Sequence, residues 1–196
     1  MLNHRMFTAA ASYSDAYSGP TGLTSSLLQV SGETGIWTEQ TGVTISDYAG
    51  ATARLVFKSV SGSDYSGDFQ LDDINFDSNS YTFESDNESW QRSDTSDVGS
   101  YESVTWESIS NGVGGTTYAG FWVRYSGNTP SGGTGDIGAH GGSWHIYYEA
   151  SSGGAPSITA WVRSPEIVLS ATPTLSFWEG RDGTTMGTLD VYLDIL

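Results

Sequence analysis

Short apolar and polar alternations, each closed by Gly, Ser, Asp, Asn or Pro, follow one another along this chain and leave it few folds to adopt. Ala53, Leu55 and Phe57 alternate with Arg54, Val56 and Lys58; Phe121, Val123 and Tyr125 with Trp122 and Arg124; Leu189, Val191 and Leu193 with Asp190, Tyr192 and Asp194. A period of two sends successive side chains to opposite faces, so each stretch reads as a strand with one face on a core and one toward water. Similar stretches lie at 70–76, 143–149, 157–162 and 173–179, with turn clusters at 61–64, 126–130 and 179–183. Helix signals are nearly absent. About eight or more short strands at this spacing predict an all-β fold, a two-sheet antiparallel sandwich of jelly-roll or concanavalin-like form. A chain of 196 residues is long enough for such a sandwich to bury about 70% of its unfolded surface without disulfides or metals.

Charge narrows the partners. The chain has 23 acidic against 7 basic residues, a formal charge of -16 and an isoelectric point near 4.1. Such a field repels phosphate backbones and anionic headgroups, so neither nucleic acid nor membrane is an expected partner. The absence of cysteine removes disulfide frameworks, thiolate metal sites and thiol nucleophiles together. No apolar stretch reaches 18 residues, and the opening Met-Leu-Asn-His-Arg-Met-Phe lacks the apolar segment of a secretory signal. The chain is therefore expected to be made in a cytoplasm and unanchored.

Signals for catalysis are weak. There is no Gly-x-Ser-x-Gly elbow, His-Glu-x-x-His motif or Walker loop. Jelly-roll glycosidases need clustered acids on one strand, and Asp190 with Asp194 supplies two carboxylates without a third. The expected answer is no enzyme. His140 and His145 flank a glycine turn and read as exposed turn residues. Asp73, Asn75, Asp77 and Glu84 have the spacing of an EF-hand loop, but Ser78 stands where that loop needs glycine, and strands rather than helices flank it. Trp122, Trp144, Trp161 and Trp178 fall within strands and read mostly as core; a glycan platform would need two or three such rings exposed on one face. The polar stretch 85–115 carries Trp90 and Trp106 and reads as loops that tryptophans pin to the sandwich.

Two stretches resemble signatures of MAM-type domains, jelly-roll modules of receptors, adhesion proteins and bacterial and phage surface proteins. Trp37-Thr-Glu, Ala53-Arg-Leu-Val-Phe57 and Ser66-Gly-Asp-Phe-Gln-Leu-Asp-Asp-Ile74 are similar to the family's closing half. Phe83-Glu84, Trp90, the run from Thr134 through Trp144 to Ala150, Pro173 to Trp178 and Met186 to Leu193 are similar to its opening half. The animal half-cystines are missing, as in bacterial or viral relatives. The halves also come in reversed order, 25–78 before 80–196, so the resemblance implies a circularly permuted domain, or halves that pair between copies. It further implies that the Asp-Asp-Ile and Phe-Glu strands lie side by side. Oxygen donors gathered there on so acidic a chain invite calcium, with Asp72, Asp73 and Glu84 as ligands and Glu149 as a fourth.

Residues 1–24 alternate little and read as an arm or edge strand, with Met1, Leu2, Met6 and Phe7 as its assembly contacts. The expected function is a non-enzymatic interaction and assembly module. An extracellular-type sandwich without cysteine, made in a host cytoplasm, fits a bacteriophage virion component such as a capsid decoration, tail or fibre-associated protein, exposed at the particle surface. Its partners are then other virion proteins or copies of itself. The alternative is a carbohydrate-binding or adhesion module at a bacterial surface, with a cell-surface glycan as ligand.

Overall fold

The alternating stretches become strands in the computed structural model, which describes residues 22–93, 101–102, 121–129, 134–135, 137–150 and 158–196. In chain order they are β1 (Leu28–Ser31), β2 (Trp37–Gln40), β3 (Thr52–Val60), β4 (Asp68–Phe76), β5 (Asn79–Tyr81), β6 (Gln91–Ser93), β7 (Tyr101–Glu102), β8 (Phe121–Ser126), β9 (Trp144–Glu149), β10 (Thr159–Arg163), β11 (Ile167–Val168), β12 (Leu175–Asp182) and β13 (Thr188–Ile195). A 3-10 turn at Ser46–Tyr48 is the one helical element among the described residues.

These strands form two antiparallel sheets. One runs β1-β13-β3-β10-β6-β7, with β11 also on β3; the other runs β2-β12-β4-β9-β8, with β5 on β4. Strands that follow each other in sequence repeatedly change sheets: β1 to β2, β3 to β4, β9 to β10 and β12 to β13. The chain therefore winds back and forth across the core, the habit of a jelly-roll-like β-sandwich. β3 is the spine of the first sheet, paired from Ala53↔Ile195 to Val60↔Thr188 with β13 and on its other edge with β10. β4 is the spine of the second, between β12 and β9. Residues 25–78 thus supply the central strand of each sheet and residues 80–196 most of the strands around them. β4 turns directly into β5 in a hairpin that pairs Ile74 with Tyr81, and β1 lies along β13, Leu28 opposite Val191.

The core lies between the inner faces. Leu55 and Phe57 of β3, Phe69, Leu71, Ile74 and Phe76 of β4, Phe177 of β12 and Leu189, Val191 and Leu193 of β13 are buried in one cluster. Trp90 is the keystone of one side of it: its ring packs edge-on against Tyr81 and Phe83, with centroids at 5.2 and 5.7 Å, and stacks on Phe57 at 6.1 Å. This ties down the described residues that lead into β6, as Trp90 predicts; Trp106 and most of the rest of the polar stretch 85–115 lie outside the described residues. Trp122 likewise enters the core, beside Tyr148.

The other strand tryptophans do not. Trp161 lies on the outer face of the first sheet, beside Tyr192 and beneath the Lys58 ammonium, and Trp178 lies on the outer face of the second. Flanking residues decide this: Ala160 and Val162, or Leu175 and Phe177, take the inward places. The expected turn at 179–183 is also displaced, because β12 continues to Asp182 with Gly180, Arg181 and Asp182 in register against Gln70, Phe69 and Asp68. Glu179 and Arg181 are polar but pair with each other at 2.9 Å, which lets charge remain inside a strand.

Candidate functional site

The second sheet's outer face carries an unusual sequence pattern: Asp68, Gln70 and Asp72 alternate with Phe69 and Leu71 along β4. Alternation turns those polar groups away from the core, yet all three are fully buried. Their cover comes from residues between β8 and β9. Gln70 Nε2 donates to the Gly138 carbonyl at 3.2 Å, and a side chain at Gly180 would meet Ile137 at 2.6 Å. The covered face therefore holds a polar layer roofed by loop.

One end of the roof is fastened by carboxylates. Two residues of β4, Asp73 and Ile74, oppose the single Phe177 of β12, forming a β-bulge at which Asp73 has a φ of 45°. The bulge allows Asp72 and Asp73 to serve the same loop, which strict alternation would forbid. Asp72 Oδ2 accepts the backbone N–H groups of His140 and Gly141 at 2.9 and 3.0 Å. Asp73 Oδ2 meets His140 Nδ1 at 2.6 Å. Glu84 Oε1 accepts the N–H groups of Ser143 and Trp144, both at 2.8 Å. Gly141 and Gly142 make the approach feasible, since a Cβ on the first would lie 2.6 Å from Asp73 Oδ2 and one on the second would collide with Glu84 Oε1. Burial pushes the Asp72 carboxyl up to about 7 despite these donors.

Asp72, Asp73 and Glu84 are thus brought to one loop, and each binds it through hydrogen bonds. Glu149 is not with them. It stands at the far end of β9 beside Asp68, a residue that sequence reasoning did not single out. Among the described residues no three His, Asp or Glu side chains are grouped as metal ligands would be. Met1, Leu2, Met6 and Phe7 lie outside the described residues.

The histidines divide. His140 sits on the loop, its ring stacked on Trp178 at 3.8 Å and edge-on to Trp37 at 5.8 Å. His145 is not an exposed turn residue: it is in β9, fully buried, and burial pulls its pKa down to about 4. Its Nε2 is 2.9 Å from Gln70 Nε2. The Gln70 amide donates there, so the imidazole proton is on Nδ1. That Nδ1, Gln70 Oε1 and Trp37 Nε1 are buried without a hydrogen-bond partner among the described residues, as are the indole nitrogens of Trp90 and Trp122 in the core. Beside the loop, the Arg124 guanidinium lies 3.7 Å from the Trp144 ring centre and donates to the Phe83 and Glu84 carbonyls, tying β8 to the start of the clamp.

What these features define is a class by architecture: an all-β, jelly-roll-like sandwich with a loop clamped over one sheet face. No protein-family model, curated protein or solved structure matches the chain.

Proposed function

We propose that this chain is a non-enzymatic interaction and assembly module displayed on a bacteriophage particle, as a capsid decoration, tail or fibre-associated protein of MAM-like, permuted architecture. The observation that carries the reading is the use of the carboxylates. Asp72, Asp73 and Glu84 are occupied in holding a loop over the covered face, so charged groups here serve the presentation of a surface. Cysteine-free folding and a charge of -16 suit a solvent-facing protein assembled in a reducing cytoplasm and carried out with a particle. The test is direct. Antibody to the chain should label intact virions from producing cells, and deletion of residues 2–12 should remove the label while the isolated protein melts as before. Particles that never carry the chain would overturn the reading.

A second reading, a glycan-binding module, draws on Trp37 Nε1, Gln70 Oε1 and His145 Nδ1, which have no partner among the described residues. A hydroxyl-bearing ligand reaching beneath the loop would satisfy them, although His140 already covers one face of Trp178. Glycan-array binding that is lost in Trp37→Ala, with an unchanged melting point, would favour it.

A further inference from the structure

At the opposite end of the covered face from the clamp, the antiparallel register of β4 on β9 pairs Phe69 with Tyr148. The next residue of each strand, Asp68 and Glu149, therefore meet on the outer face. Asp68 is fully buried and Glu149 is 6% exposed. Two carboxylates facing each other out of water repel strongly, because neither solvent nor salt screens them. Burial first, and then the Glu149 charge, raise the Asp68 pKa far above the ordinary carboxylate range. Among the described residues no arginine or lysine is paired with Asp68: its Oδ1 accepts the Ala150 N–H at 2.9 Å, and Oδ2, sealed from solvent, has no hydrogen-bond partner there.

Among the described residues, several of the groups beside the pair carry oxygen. Thr129 and Thr134, both buried, lie at this end of the covered face. Thr129 is tied to residues 134 and 135, donating through its N–H to the Gly135 carbonyl at 3.1 Å and through its hydroxyl to the Thr134 carbonyl. Tyr147 donates its hydroxyl to Glu149 Oε2 at 3.3 Å. Asp182 stands in register with Asp68 on its other flank, adding negative potential at the rim.

We propose that Asp68 and Glu149, with the hydroxyls of Thr129 and Thr134, bind a hard divalent cation, calcium in preference to magnesium. Charged and neutral oxygens from a strand start, a strand end and a turn suit the flexible coordination of calcium better than the strict octahedron of magnesium. The cation offsets the repulsion between the carboxylates, gives Asp68 Oδ2 a partner and pins Thr129 and Thr134 to the sheet. It acts as a stabilising ligand of the folded chain and is independent of what the module's surface binds.

The test is thermal unfolding of the full chain in chelator, in millimolar calcium and in millimolar magnesium, with calorimetric titration of calcium chloride alongside. Calcium at about a hundred times its dissociation constant should raise the melting temperature by roughly 5–10 °C, with a smaller shift in magnesium. Titration should give one site per chain. Asp68→Asn and Glu149→Gln should each abolish the calcium shift yet melt in chelator no lower than the wild type, because each removes one of the repelling charges. Glu84→Gln, in the clamp, should keep the full shift. An unchanged melting point in all three solutions with no heat of binding would overturn the proposal. A calcium shift that survives both Asp68→Asn and Glu149→Gln but vanishes in Glu84→Gln would overturn it too, by placing the ion at the clamp.

Discussion

Asp72 and Glu84 hold the two ends of one glycine-rich loop, Asp72 by the N–H groups of His140 and Gly141 and Glu84 by those of Ser143 and Trp144. The loop between them is what couples the middle of β4 to the segment that follows β5. Charge-assisted bonds to backbone N–H groups are stronger than neutral ones, and these span the loop from His140 to Trp144.

If Glu84 acts by clamping, Glu84→Gln should lower stability by about 1 kcal/mol, because the amide oxygen still accepts but without the charge. Urea unfolding should show that loss equally in calcium and in chelator. A loss confined to calcium-containing buffer would mean that Glu84 is a metal ligand.

Gly142→Ala should cost about 2 kcal/mol, combining a φ of 61° with a Cβ that collides with Glu84 Oε1. Gly127→Ala is the comparison, because Gly127 has a φ of 85° but nothing within 4 Å of where the new methyl group would sit. It should cost only the conformational part, about 1 kcal/mol. Equal losses in urea unfolding would show that close approach to Glu84 is irrelevant.

Asp72 predicts a pH dependence of definite sign. Its folded pKa is raised from 3.8 to about 7, chiefly by burial. Between those values the folded chain keeps a proton that the unfolded chain has released, so this group's contribution is full at low pH and is lost as pH rises from about 4 to 7. His145, depressed by burial, works in the opposite direction in part of that window. Comparison with Asp72→Asn isolates the carboxyl: the variant should gain on the wild type steadily from pH 4 to 7, then hold constant. Parallel stability curves across that range would refute the assignment. Asp73 and His140, the ionisable neighbours at the loop, are present in both proteins.

Trp90→Ala should destabilise the sandwich by about 3–5 kcal/mol, since the ring is buried against Phe57, Tyr81 and Phe83 and its removal leaves a large cavity. Trp161→Ala, on an outer face, should cost clearly less. Denaturant unfolding of the two variants provides the comparison.

Local pattern was enough to specify the strands and their class. In Ala53–Phe57 and Leu189–Leu193 the period of two, with turn residues between, dictates strands with one face on a core, and a set of such strands has few ways to bury its apolar faces other than two packed sheets. The glycine turn at Gly141-Gly142 is also legible, although not that carboxylates approach it closely. The remainder came from the way distant segments meet. Alternation says that Asp68, Gln70, Asp72 and His145 share the face opposite the core, but it cannot say whether water or protein lies on that face. Here a loop covers it, which buries all four and neutralises His145, while the register of β4 on β9 brings Asp68 against Glu149. The bulge at Asp73 is likewise invisible to a periodic pattern, because it arises from how β4 must fit Phe177 on a strand far away in sequence. Local periodicity chooses the faces of a strand; the burial and partners of the groups on those faces depend on contacts between distant segments, and the chemistry of this molecule resides there.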